Sequence, residues 1–138
     1  MLRLLLLLLM ASATFNCYAG DGLVIVANTH YRSPALTLEQ VRNLFMGGNT
    51  GLALKPVALP LNNHTRLLFN ARVMGLPEKR IQSYWAQMKF TGRRVPPAIL
   101  HSEQDVVSYL LENPETVSYL PADQPLPDDL KVLYWAGN

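Results

Sequence analysis

The stretch Leu61-Asn62-Asn63-His64-Thr65-Arg66-Leu67-Leu68-Phe69 follows the short apolar segment Leu52 to Leu59 and opens a helical pattern. A strand that hands over to a helix through a polar, strongly capping turn aims free backbone N–H groups and the positive end of the helix dipole at one spot. Arg66 adds a guanidinium close by. That combination suits a small anion, so Asn62, Asn63, His64, Thr65 and Arg66 are the candidate ligand-binding residues. The same turn also reads as an ordinary helix start, because Thr65 as a plain N-cap stabilises a helix by about 1 kcal/mol without any ligand.

Working outward, Leu67, Leu68, Ala71 and Met74 form a helical stripe that stops at Gly75. Pro77 suits the first helical position, and a second amphipathic helix carries Ile81, Tyr84, Trp85 and Met88 inward while Glu78, Lys79, Gln82, Gln87 and Lys89 face elsewhere. Tyr84, Trp85 and Phe90 are expected in the core. After Pro96-Pro97, Ser102 and Asp105 offer a capped start for a helix with Val106, Val107, Leu110 and Leu111, ended by Asn113-Pro114.

Upstream, Leu23-Val24-Ile25-Val26-Ala27 is a continuous β-branched run, the pattern of a central strand buried on both faces. Thr37 and Gln40 spell a reciprocal cap for a helix with Leu38, Val41, Leu44 and Phe45 on one face, ended by Gly47-Gly48. Pro56 makes Leu52 to Leu59 an edge strand or a strand only in part. Val117 to Leu120 and Lys131 to Trp135 are the remaining β-rich runs. The order predicts an α/β domain, a mixed sheet flanked by helices.

The first residues stand outside this domain. Met1-Leu2-Arg3, the apolar run Leu4 to Met10 and the small residues after it have the pattern of a secretory signal peptide, shorter than the roughly 20 apolar residues of a membrane span. Cleavage fits after Ala13 or after Ala19, the second leaving the longer signal. Residues 1–19 are thus read as a signal and 20–138 as one domain, exported to the periplasm. Cleavage after Ala19 also removes Cys17, the single cysteine, so no internal disulfide is expected.

Charge excludes one class of partner. The chain has 12 Lys and Arg against 10 Asp and Glu and no long basic tract, so nucleic acid is not expected. The local cluster Gly92-Arg93-Arg94 beside Lys89 reads as a solvated loop. No His-x-x-His, Cys-x-x-Cys or Gly-x-Ser-x-Gly spacing occurs, and His30, His64 and His101 are far apart. The reading is therefore of a protein without a catalytic site, metal or cofactor.

Taken in order, Leu36-Thr37-Leu38-Glu39-Gln40-Val41-Arg42-Asn43-Leu44-Phe45-Met46-Gly47, the turn ending in Thr65-Arg66-Leu67-Leu68-Phe69, Tyr84-Trp85, Phe90-Thr91-Gly92, and Asp105-Val106-Val107 with Glu112 to Tyr119 resemble the phosphate-type periplasmic substrate-binding proteins of ABC transporters, and in particular their short stand-alone relatives. The resemblance runs from about Leu23 to Tyr134. It implies a type II binding-protein fold, here little more than one lobe, and a phosphate-like oxyanion for uptake or sensing. The ligand turn departs from the pattern. Phosphate binders usually carry Ser-Gly-Thr there, preceded by an acidic residue and an arginine; Thr65 matches, Asn63 and His64 replace the Ser and Gly, and Leu59 lies about where the arginine is expected.

One open lobe binds an anion weakly. A helix terminus contributes roughly 0.3–1 kcal/mol, or about 2 when partly buried, against about 8 kcal/mol for a micromolar complex. Capture then calls for a cover, either a second copy of the chain as a homodimer or a membrane permease or sensor. The alternative is a non-catalytic interaction module that docks on a transporter, porin or sensor without holding a solute.

Overall fold

The computed structural model describes residues 22–30 and 35–137. The segment read as a signal, with Cys17, and the loop at Pro34 lie outside the described residues. The elements are β1 (Leu23–Asn28), α1 (Leu38–Phe45), β2 (Lys55–Ala58), α2 (His64–Phe69) continuing into a π-helical turn (Asn70–Met74), α3 (Glu78–Phe90), β3 (Ala98–Ile99), α4 (Glu103–Glu112), β4 (Thr116–Pro121) and β5 (Lys131–Ala136).

The five strands form one mixed sheet in the order β3-β2-β4-β1-β5. β2 runs parallel to both β3 and β4, while β1 is antiparallel to β4 and β5. The apolar run Leu23 to Ala27 is a central strand because both faces of β1 are covered. Ile25 pairs with Tyr119, which meets Phe45 of α1 and Phe69 of α2 on one face. Asn28, of the opposite parity, donates to the Leu110 carbonyl of α4 on the other. Leu23, Ile25, Val26 and Ala27 are fully buried as a result. In Leu52 to Leu59 only Lys55–Ala58 is strand, and it is interior, with two-residue β3 on its outer side.

The local signals act as their chemistry requires. Thr37 and Gln40 form the complete capping box of α1, and the Ser102 side chain accepts from Asp105 N–H at the start of α4. Gly75 stops the π-helical turn at φ 65°, a left-handed conformation that costs glycine little.

Two expectations need correction. The buried face of α2 and its π-helical continuation carries Thr65, Arg66, Phe69, Asn70, Val73 and Met74; of the expected stripe Met74 lies on it and Leu68 packs partly against the core, while Leu67 and Ala71 are exposed. A spacing of four residues is wider than the 3.6 of an α-helix, and the π-helical turn supplies the difference. Phe90 is not in the core either, being 93% exposed. It ends α3 about 140° round the helix from buried Trp85, on the side that faces away from the body.

Candidate functional site

β2 and β3 are parallel neighbours, so their C-terminal ends reach the same edge of the sheet. Each hands over there to a helix: β2 through Pro60 to Asn63 into α2, and β3 through Leu100 to Ser102 into α4. Two helix N-termini therefore converge beyond the carboxyl ends of parallel strands, where open α/β sheets place their ligands.

In this structure a side chain of the protein occupies the junction. Glu103, the first residue of α4, accepts at Oε1 from Asn63 Nδ2 at 2.9 Å and from Thr65 Oγ1 at 3.0 Å. Burial pushes the Glu103 carboxyl up, but the hydrogen bonds from Asn63, from its own backbone N–H and from Thr65 outweigh it and hold it below the usual carboxylate value. Glu103 is thus an internal anion stretched between two helix starts.

The predicted residues divide accordingly. Asn63 is the N-cap of α2, its Oδ1 accepting from Arg66 N–H at 3.1 Å. Thr65 lies inside the first turn, buried against Glu103. Asn62 and His64 are exposed.

Arg66 points away from solvent and is buried. Its Nε donates to Glu78 Oε2 at 3.1 Å, one terminal nitrogen donates to Glu78 Oε1 at 2.5 Å, and the other donates to the Leu59 carbonyl at 2.7 Å. Glu78 also accepts from Asn70 and from Gln82. Burial raises the Glu78 carboxyl, but the hydrogen bonds from Arg66, Gln82 and Asn70 and the Arg66 charge more than offset it, so its pKa lies below the ordinary value. The Leu59 amide in turn donates to the Tyr119 hydroxyl at 3.1 Å. Arg66 therefore ties the end of β2 to the start of α3.

Both carboxylates escaped the sequence reading. The one available sign was position, since Glu78 and Glu103 each stand first in a helix, directly after Pro77 and Ser102. Among the described residues no group of three His, Cys, Asp or Glu side chains is placed to hold a metal ion, and no helix is long and apolar enough to cross a membrane.

Known structures share this α/β fold. The chain superposes with an ABC-type phosphate transport receptor from Vibrio cholerae at a TM-score of 0.62 and 20% identity, over 83% of this chain and 46% of that one. It also matches a Clostridium perfringens protein assigned as a phosphate ABC transporter substrate-binding protein and solved with bound phosphate, at a TM-score of 0.57 and 18% identity, over 82% and 44% of the two chains. The chain spans less than half the length of either structure. No model of a known protein family matches it, and no curated protein matches it in sequence. At these identities the likeness establishes the fold: a five-stranded mixed sheet with four helices, corresponding to roughly one lobe of a phosphate-binding protein.

Proposed function

We propose that the protein is an exported, periplasmic, non-catalytic lobe of the phosphate-binding type that acts as an interaction module, docking on a membrane transporter, porin or sensor. Residues 1–19 act as its cleaved signal and 20–138 as its single domain. The observation that carries this reading is Glu103, whose carboxylate takes the Asn63 and Thr65 donors that a free oxyanion would need. Arg66 cannot replace them, because Glu78 and the Leu59 carbonyl already hold its guanidinium. A second anion entering the junction would meet the Glu103 charge at short range, where repulsion in a partly dehydrated site is strong.

The second reading is capture of phosphate or a similar oxyanion at Asn62, Asn63, His64, Thr65 and Arg66, with Glu103 displaced and a partner chain or second copy covering the ligand. It is favoured by the phosphate in the C. perfringens structure of the same fold.

Calorimetry with phosphate, sulfate and molybdate separates the two. The docking reading expects no saturable heat at millimolar anion and neutral pH. Saturable binding that Thr65→Ala abolishes and Glu103→Ala strengthens overturns it in favour of capture. If capture involves a second copy, light scattering then shows dimerisation that tightens with anion. Docking is tested directly by photo-crosslinking from exposed Asn62 in intact cells; failure to reach any envelope protein removes the docking reading.

A further inference from the structure

A cavity of about 300 Å3 lies between the inner side of α3 and the rings of Phe45 on α1, Phe69 on α2 and Tyr119 on β4. This is the lower end of the ~300–1,000 Å3 usual for small-molecule sites. Phe45, Phe69, Met74, Ile81 and Trp85 wall it. The rings are held in place by one another, Phe69 stacking on Tyr119 at 4.1 Å and meeting Phe45 edge-on at 4.8 Å, so the chamber has firm aromatic sides.

Apart from Lys89, the charged and polar side chains of its lining include Arg66, Asn70, Gln82 and Tyr119, and Glu78, just outside the lining, balances the Arg66 charge. Arg66 and Asn70 both donate to Glu78. Burial pushes the Tyr119 phenol up to about 12, which keeps it neutral. The interior is therefore suited to an uncharged, apolar body.

The mouth is different. Exposed Lys89 lines it beside Pro96, Pro97 and Ile99. From Lys79 to Ser102 the chain carries five Lys and Arg (Lys79, Arg80, Lys89, Arg93 and Arg94) and no Asp or Glu. Lys89 belongs to no ion pair among the described residues. An entrance with a free cation in front of an apolar, neutral chamber selects a molecule with the complementary division.

We infer that this cavity is a binding site for a small amphiphilic anion, an aromatic or medium-chain aliphatic body seated against Phe45, Phe69 and Trp85 with a carboxylate or sulfonate at Lys89. The site uses neither Glu103 nor Thr65 and shares only Arg66, held by Glu78, with the oxyanion reading, so its test with Ala86 and Lys89 variants is separate from that of the docking and oxyanion readings.

The test uses Trp135→Phe, which leaves Trp85 as the sole tryptophan. Titration with 8-anilino-1-naphthalenesulfonate is expected to change Trp85 emission with a single saturable site, and octanoate to displace the dye. Ala86 is exposed on α3 at the mouth; Ala86→Phe is expected to abolish binding while leaving the melting temperature unchanged. Lys89→Glu is expected to weaken the dye and octanoate at least fivefold and to leave 1-octanol unaffected. Absence of a saturable response overturns the inference. So does equal dye binding by Ala86→Phe, which marks adsorption elsewhere on the surface, or indifference of octanoate to Lys89→Glu, which removes the role of the cation.

Discussion

Replacing Glu78 by glutamine leaves the Arg66 guanidinium buried beside a neutral partner. Arg66 and Glu78 side chains are 8% and 23% accessible, and the carboxylate receives two nitrogens of the fork. Breaking a fully buried ion pair by removing one charge costs roughly 3–5 kcal/mol. Here solvent reaches part of Glu78, glutamine still accepts one hydrogen bond, and Arg66 keeps the Leu59 carbonyl, so the expected loss is about 2 kcal/mol. For a domain of this size that lowers Tm by about 8 °C. The pH dependence follows from the direction of the shift. Glu78 titrates below its ordinary 4.5 when folded, so its contribution is present above about pH 4.5 and is lost as the pH falls through the lower, folded value. Urea unfolding of wild type and Glu78→Gln at pH 7 and pH 3 measures both effects. The gap should be wide at pH 7 and narrow at pH 3. A difference at pH 7 within about 0.5 kcal/mol, the scatter of ordinary surface changes, or a gap that widens in acid, refutes the stabilising role of the Arg66–Glu78 pair.

Three further outcomes follow. Glu103→Ala removes the shared acceptor of Asn63 and Thr65 and should cost about 1–2 kcal/mol by leaving the buried Thr65 hydroxyl unpartnered; because the Glu103 pKa is also lowered, denaturation curves should show this difference fading in acid. Tyr119→Phe strips the Leu59 amide of its acceptor at a cost of about 1–2 kcal/mol. In the wild type, stability should fall as pH rises between 10 and about 12, where the unfolded tyrosine ionises and the buried one does not, a decline that the phenylalanine variant lacks. Gly75→Ala places a Cβ at φ 65° and 3.4 Å from the Arg42 guanidinium, and should lower stability by about 1 kcal/mol or more in thermal melts.

The elements that local chemistry specifies were legible in the sequence. β1 shows as an unbroken apolar run because both its faces are covered, and Thr37, Ser102 and Gly75 mark helix ends through side-chain caps and a left-handed turn. What escaped reading depends on contacts between distant residues. Glu103 meets Thr65 across 38 positions and Glu78 meets Arg66 across 12, so neither carboxylate can be assigned before the chain is folded. The buried face of α2 departs from the simple helical stripe because a π-helical turn alters its phase, and Phe90, two positions beyond Met88, lies off the inward side of α3. β3, only two residues long and directly after a double proline, is too short for any periodicity to register.

The strand that comes first among the described residues lies between the two that come last, with β4 on one side and β5 on the other. A growing polypeptide therefore holds Leu23 to Ala27 without neighbours until about a hundred further residues have been made, and pairings this remote form slowly. During that interval the segment is an apolar ribbon whose backbone N–H and C=O groups lack their sheet partners. Closure of the sheet therefore waits for the final strand.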